Sequence, residues 1–406
     1  MRDRDAATLL AELLRRTHLS APGDLARVVA DQARSVGAHD AIVYLIDYEL
    51  TCLRPLPAVP DDRRVPTPVT GTLAGRAYSA TTIVPCDDDV PGRRRLWLPL
   101  LDGTERLGAM AMVFDQDAVS DQLVATCERY AHLVATLLVT KGAYSDAFEV
   151  RRRSRAKSIA SELIWELTPP LVFATDDVVL AGMLEPAYDN GGDAIDYALN
   201  DTILHLGIFD AMGHGLAAAG LATFALSAYR HSRRGGAALL ETYRAMDDAI
   251  AGQFPGDSFV TGLIAQLDVA TGRLSWLTAG HPQPLVVRDD RRTHQLTTDP
   301  ATPLGAPGPR DPVVAEDALQ PGDLLLLYSD GLTEARLDEQ KRMGVEGLRE
   351  FVAREAAAAH TAPETLRRLS QAIMEAHPGE LDDDATALVV EWKGGGETLL
   401  LPPTVA

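Results

Sequence analysis

The chain has 406 residues, 46% hydrophobic and 24% charged, a composition that excludes a disordered protein and leaves room for two or three packed domains. Its 58 acidic residues outnumber the 38 basic ones and give a formal charge of −20, which excludes non-specific nucleic-acid binding because that needs a basic face. Cys52, Cys86 and Cys127 have neither zinc spacing nor a close pair, Arg2 to Asp5 offer no signal-peptide core, and the longest weakly polar run (216–229) is too short for a bilayer, so a cytoplasmic protein with reduced thiols and no membrane association is expected.

From the start, residues 5–16 have the spacing of a short amphipathic helix, with Leu9, Leu10, Leu13 and Leu14 on one side. A second helix is expected from Pro22, capped by Ser20, to Gly37. Strand-like segments follow at 41–47, 50–56, 96–101 and 107–114, the last two joined by the hairpin signal Asp102-Gly103. Helices, antiparallel strands and a closing helix make an α+β domain over 1–120. The layout resembles a GAF sensor domain in pattern, without a ligand motif. Small-molecule sensing and a plain dimerisation scaffold are both open.

Residues 121–170 are expected to form a helical linker. Leu123, Cys127, Tyr130, Val134, Leu137, Lys141, Tyr144 and Phe148 recur in alternating steps of four and three, the pattern of a coiled-coil seam that would pair two copies. A helix packed on its own domain gives the same pattern. The basic run Arg151, Arg152, Arg153, Arg155 and Lys157 reads as a solvated face. Ile159, Leu163, Ile164, Trp165 and Leu167 must pack on something, for which the sheet near Asp193 is the expected surface. Thr168-Pro169-Pro170 ends the segment.

Beyond Leu171 the pattern changes to strands at 178–184, 203–210, 259–267, 273–278, 285–288, 324–328 and 386–391. Helices are expected at 216–230, 237–253, 347–359 and 363–376. This predicts a two-sheet core flanked by helices over 171–393, with a tail at 394–406.

Four acidic motifs lie in this half: NGGDAID (190–196), FDAMGHG (209–215), LLLLYSDGLTEAR (324–336) and LDDDAT (381–386). Singly, each Asp-Gly is a turn signal. Together they suggest carboxylates at loop ends around hard cations. Asp210 ends one expected strand, Asp330 follows another, Asp383 precedes a third and Asp193 follows Gly191-Gly192. Gly213 and Gly215 are expected to allow close backbone approach. Converging carboxylates would raise one another's pKa values, and two divalent ions would relieve that while activating a water. Asp189 and Asp382 read as solvated neighbours, and Asp268 as a turn residue.

In order, the GGD, D-x-x-G-H-G, AGHPQPL (279–285), PLG (303–305), LLLLYSDGLTEAR and DDDAT segments resemble the metal-dependent protein phosphatase (PPM) family, in its SpoIIE-like bacterial branch. The resemblance implies an αββα two-sheet sandwich and a site with two Mn²⁺ or Mg²⁺ ions that hydrolyses phosphoserine or phosphothreonine. It implies that Asp210 bridges both ions, that the Ala211 carbonyl helps hold one, and that Asp193, Asp330 and Asp383 complete the set. Asp384 and Thr386 would fix Asp383. His214 would either donate a proton to the leaving alkoxide or hold its loop by hydrogen bonds, and His281 would shape the cleft. The implied substrate is a phosphoprotein of the anti-sigma-factor-antagonist class. The chain departs from the family at Ala194 and Ile195, where aromatics are usual, and at Ser329, where Thr is common; no expected ligand is lost. A non-catalytic partner-binding regulator on the same fold is the alternative. A cyclic-dinucleotide synthase, suggested by GGDAI, fails because the second acid and the aromatic are missing.

Overall fold

The computed structural model describes residues 3–59, 64–254, 256, 258–288, 293–308, 312–336, 342–377 and 381–394. The 394–406 tail expected from sequence lies almost wholly outside the described residues. The chain forms two compact units, Met1–Ala156 and Lys157–Ala406.

The first unit runs α1 (Asp3–Thr17), α2 (Leu25–Ala33), β1 (Asp40–Ile46), β2 (Cys52–Leu56), β3 (Thr67–Pro68), α3 (Leu73–Ala80), β4 (Val84–Asp87), β5 (Arg93–Asp102), β6 (Glu105–Asp115), α4 (Asp121–Gly142) and α5 (Ala147–Arg152). Its antiparallel sheet has the order β3-β2-β1-β6-β5-β4, and Asp102 pairs with Glu105 across the expected hairpin. Helix α2 starts later than expected. A short 3-10 turn at Pro22–Asp24 precedes it, capped at Ala21 rather than by Ser20.

Helix α4 corrects the coiled-coil seam. Leu123, Cys127, Tyr130 and Val134 are buried in one cluster with Leu45, Leu98 and Met112 of the unit's own sheet. The Tyr130 hydroxyl donates to the Val29 carbonyl at 2.8 Å. The helix stops at Gly142, and Tyr144 is exposed. A step of four and three satisfies any helix with one covered face, and here the sheet covers it. A pair of copies would have to use another surface.

The second unit runs α6 (Ile159–Leu167), β7 (Val172–Ala174), β8 (Val178–Glu185), β9 (Asp193–Asn200), β10 (Ile203–Ala211), α7 (Gly215–Arg234), α8 (Leu239–Gln253), β11 (Val260–Asp268), β12 (Arg273–Ala279), β13 (Leu285–Val287), β14 (Thr293–Gln295), β15 (Ala315–Ala318), β16 (Leu324–Tyr328), α9 (Asp330–Glu334), α10 (Gly344–Ala357), α11 (Ala362–Ala376) and β17 (Ala385–Trp392). Two antiparallel sheets form, in the orders β15-β12-β11-β10-β9 and β14-β13-β16-β17-β8-β7. Their strands alternate in a period of two. Leu325, Leu327, Leu388 and Val390 join the core that contains Leu206, Ile208 and α7. Leu326, Tyr328, Ala387 and Val389 face the opposite way, onto Leu366, Leu369 and Ile373 of α11. This is an α+β, four-layer sandwich: α7 and α8, two sheets, then α10 and α11.

Candidate metal centre

The acidic motifs meet at one end of the sandwich because antiparallel pairing puts the end of one strand beside the start of the next. Asp193 opens β9 and is paired directly with Asp210 near the end of β10. The sequence places Asp193 after Gly191-Gly192 and predicts no strand there; in the structure Asp193 starts one. Asp210 is paired on its other side with Thr261 of β11. A row of Asp193, Asp210 and Thr261 therefore crosses three strands on one face. Two carboxylates directly opposite each other destabilise a sheet unless something neutralises them.

The second sheet supplies the remaining acids. Strand β16 ends at Tyr328, and Ser329-Asp330 follows; Asp383-Asp384 leads into β17. Ser329 N–H donates to the Thr386 carbonyl at 3.0 Å, and Thr386 N–H donates to Ser329 Oγ at 3.0 Å. Gly331 is required here, because a Cβ would lie 2.0 Å from the Asp384 carbonyl.

Asp384 has a different role from the one expected. Its Oδ2 accepts from the backbone N–H groups of Gly191 (2.9 Å), Gly192 (2.7 Å) and Asp193 (3.3 Å), so its side chain holds the loop that presents Asp193. Only its backbone N–H reaches Asp383, at 2.9 Å to Oδ1. Thr386 likewise lies beside Asp193 rather than Asp383: the Thr386 and Ser329 hydroxyls oppose the rise in the Asp193 pKa. Gly192 belongs to the same cradle, where an added Cβ would sit 3.0 Å from the Ala211 carbonyl and 3.7 Å from Asp210 Oδ1. Of the close approaches expected at Gly213 and Gly215, the one at Gly215 is found: its backbone N would lie 2.6 Å from a Cβ added at Gly191, while a Cβ added at Gly213 or Gly215 themselves, at φ of +97° and +70°, would meet open space.

The electrostatics fit a cation. Burial, then Asp210 and Asp384, push the Asp193 carboxyl well above its ordinary range. Burial, then Asp330, Asp383 and Asp384, raise Asp210 to about 7. Burial also raises Asp383, with Asp330 and Glu334 adding to it, and raises Asp384 against the pull of its three N–H donors. Among the described residues, Oδ2 of Asp193 and Oγ1 of Thr386 are buried without a partner in hydrogen-bonding geometry. Orphaned buried oxygen atoms among mutually repelling carboxylates, with no cysteine beside them, are the donor set of a hard divalent ion. Among the described residues no three such groups are drawn into a closed ligating cluster; the aspartates act on one another across a shared polar space.

His214 is exposed at the N-cap of α7 and makes no side-chain cap bond. Its ring does not hold the loop by a hydrogen bond among the described residues. Asp189 and Asp382 are exposed, as expected of solvated neighbours. Asp268 accepts from Thr271 Oγ1 at 2.8 Å and from Ala270 N–H at 3.1 Å, as a turn residue does. Thr261 was not singled out from sequence, although pairing the strand that ends at Asp210 with its successor would have exposed it.

The raised pKa values predict the pH dependence of the metal-free protein. A carboxylate whose folded pKa is raised binds more protons folded than unfolded. Its contribution to stability is complete below its ordinary pKa of 3.8 and is lost as pH rises through about 7. Chelator-treated protein should therefore melt at a lower temperature at pH 8 than at pH 5, and Mn²⁺ should restore most of the loss. Asp210→Asn should flatten the slope in chelator. Equal slopes in both proteins, by calorimetry, would contradict the coupling.

Residues 200–393 match the family model of stage II sporulation protein E (SpoIIE). The second unit carries a SpoIIE-family domain. The match begins at the end of β9, so Asp193 lies just before it, whereas Asp210, Asp330 and Asp383 lie within it. Phosphoserine phosphatase RsbP of Bacillus subtilis (strain 168) is 24% identical to the chain over 173 residues, or 41% of this chain and 42% of RsbP. The chain thus aligns with less than half the length of that relative. Among solved structures, the RsbU and RsbW domains of a Mycobacterium tuberculosis protein are 28% identical, with a TM-score of 0.45 over 54% of this chain and 60% of that one. The SiaA PP2C domain of Pseudomonas aeruginosa is 18% identical, with a TM-score of 0.46 over 52% and 85%.

Proposed function

We propose that the SpoIIE-family domain is a cytoplasmic, metal-dependent protein serine/threonine phosphatase. Its substrate is a regulatory phosphoprotein of the anti-sigma-factor-antagonist class. The observation that carries this reading is the Asp193–Asp210 pair at the end of one sheet, Asp193 buried and Asp210 half-buried, with Asp330, Asp383 and Asp384 of the other sheet acting on it electrostatically. Asp210, central to the row, would bridge two Mn²⁺ or Mg²⁺ ions, with Asp193, Asp330, Asp383 and the Ala211 carbonyl completing the set. Bound divalent ions supply a water acidic enough to ionise near neutral pH and offset phosphoryl charge. Hydrolysis would join a water oxygen to phosphorus as the P–O bond to the serine or threonine oxygen breaks, and the leaving oxygen would take a proton as orthophosphate is released. His214, exposed at the N-cap of α7, would deliver that proton. The acids favour cations over substrate phosphate, so the phosphoryl group has no productive place without the ions.

The test is hydrolysis of an aryl phosphate and of a phosphoserine protein with Mn²⁺, Mg²⁺ or chelator. Turnover in Mn²⁺ that chelator abolishes supports the reading. Metal binding without turnover on either substrate supports the alternative, a partner-binding regulator on the same fold.

A further inference from the structure

His281 is buried to 5% exposure, in the turn after β12. A parallel bridge between Gly262 and Gly280 brings that turn against β11. The imidazole Nδ1 lies 3.0 Å from Thr261 Oγ1, and Thr261 is the cross-strand neighbour of Asp210, whose carboxyl pKa its hydroxyl pulls down against burial. Three side chains, from β10, β11 and the turn after β12, thus form a line that ends on the candidate bridging ligand.

Proton counting gives this line a direction. Burial pushes the His281 pKa down to about 3, with the nearby Tyr328 carbonyl only partly opposing the fall, so the ring is neutral and carries one N–H. Among the described residues Nε2 is buried without a partner in hydrogen-bonding geometry, although the Tyr328 carbonyl acts on the ring, whereas Nδ1 has Thr261. An unsatisfied buried N–H costs about 1–3 kcal/mol, which favours the proton on Nδ1. Thr261 then accepts from His281 and has its single hydroxyl proton free for Asp210.

We propose that His281 and Thr261 are positioning residues for metal binding: Nδ1–H of His281 donates to Thr261 Oγ1, and the Thr261 hydroxyl donates to Asp210, fixing which carboxylate lone pairs face the ions. The proposal rests on the metal-site reading above. Hydrogen-bond partners of metal ligands fix ligand orientation and are typically worth about 10–100-fold in metal affinity. A purely structural His281 would support the turn and leave the orientation of Asp210 untouched.

Two measurements on the full-length protein test it. Selective ¹⁵N-histidine labelling reads the His281 tautomer by NMR in chelator, with the signal assigned by its loss in His281→Asn. The expected state is Nδ1–H. An Nε2–H ring, donating toward the Tyr328 carbonyl and accepting from Thr261, would overturn the proposal. Calorimetric Mn²⁺ titration is the second measurement. Thr261→Val should bind Mn²⁺ about tenfold or more weaker while melting normally in chelator, and Thr261→Ser should bind as the wild type does. Wild-type affinity in a folded Thr261→Val would overturn the relay and leave the metal site standing. Absence of Mn²⁺ binding by the wild type would overturn the metal site, and the relay with it.

Discussion

Asp210→Asn should lower metal-dependent turnover by on the order of a thousandfold, about 4 kcal/mol of barrier, while raising the melting temperature of the chelator-treated protein. The two effects have opposite signs for one reason. Asp210 is held among Asp330, Asp383 and Asp384 and paired across the sheet with Asp193, so its charge is costly to bury. An amide removes that cost and keeps the shape, and stability rises. The same amide is a poor bridging ligand, so affinity and turnover fall. Residues kept for function at the expense of stability show this trade. Turnover on an aryl phosphate, Mn²⁺ calorimetry and melting in chelator measure the three quantities. Unchanged turnover with metal still bound would remove Asp210 from the site; a lower melting temperature in chelator would mean that its charge is already neutralised within the chain.

The parts of this site that were legible in the sequence are those written in a short stretch of chain. Asp210 and Asp330 each follow an apolar run that forms a strand in the structure, so their position at strand ends could be read from the alternation of side chains. The β-strand 324–328 has the boundaries that its apolar run suggests. Relations between distant segments were harder. Strand β9 went unseen because its polar positions, Asp193 and Asp196, have partners supplied by the fold: Asp193 faces Asp210, and Asp196 is ion-paired at 2.8 Å with both Arg230 and Arg233 of α7. Buried and paired, such residues break the alternation that marks a strand. Asp384 was assigned to its sequence neighbour, Asp383, yet its side chain serves a loop 191 to 193 residues away. Helix α4, for which a paired seam and packing on its own domain were both open, shows the converse. Its periodicity was read correctly, but periodicity reports that a face is covered and cannot say by what.

Trp165→Ala should weaken Mn²⁺ binding by about tenfold without unfolding the domain, because α6 grips the segment that leads into the Asp193 cradle. The Ala187 carbonyl accepts from both Trp165 Nε1, at 2.8 Å, and Ser161 Oγ, at 2.9 Å. Ser158 N–H donates to the Tyr188 carbonyl at 2.8 Å. At the other end of the helix, Arg230 donates to the Leu167 carbonyl at 2.5 Å while paired with Asp196, three residues beyond Asp193. Ile164 is buried in the core with Ile195 and Leu184, but Ile159 and Leu163 remain exposed, so only part of the expected apolar surface is used. Removing the indole loses one hydrogen bond and part of a core contact, about 2 kcal/mol for a side chain that is only partly buried. The loosened 187–193 segment then samples positions in which Asp193 is misplaced, and metal affinity falls by the fraction of time spent there. Trp165→Phe, which loses the N–H but keeps part of the ring packing, should fall between wild type and Ala. Ile373→Ala, in α11 on the far face of the second sheet, is the control: it is fully buried and should cost at least as much stability with no change in Mn²⁺ affinity. If both Ala variants bind Mn²⁺ as the wild type does, α6 is a passive strut. If both weaken it equally, metal affinity follows global stability, and no coupling runs from α6 to the cradle. Loss in Trp165→Ala alone would make α6 a lever: any input that repacks this helix would then set whether Asp193 is in place.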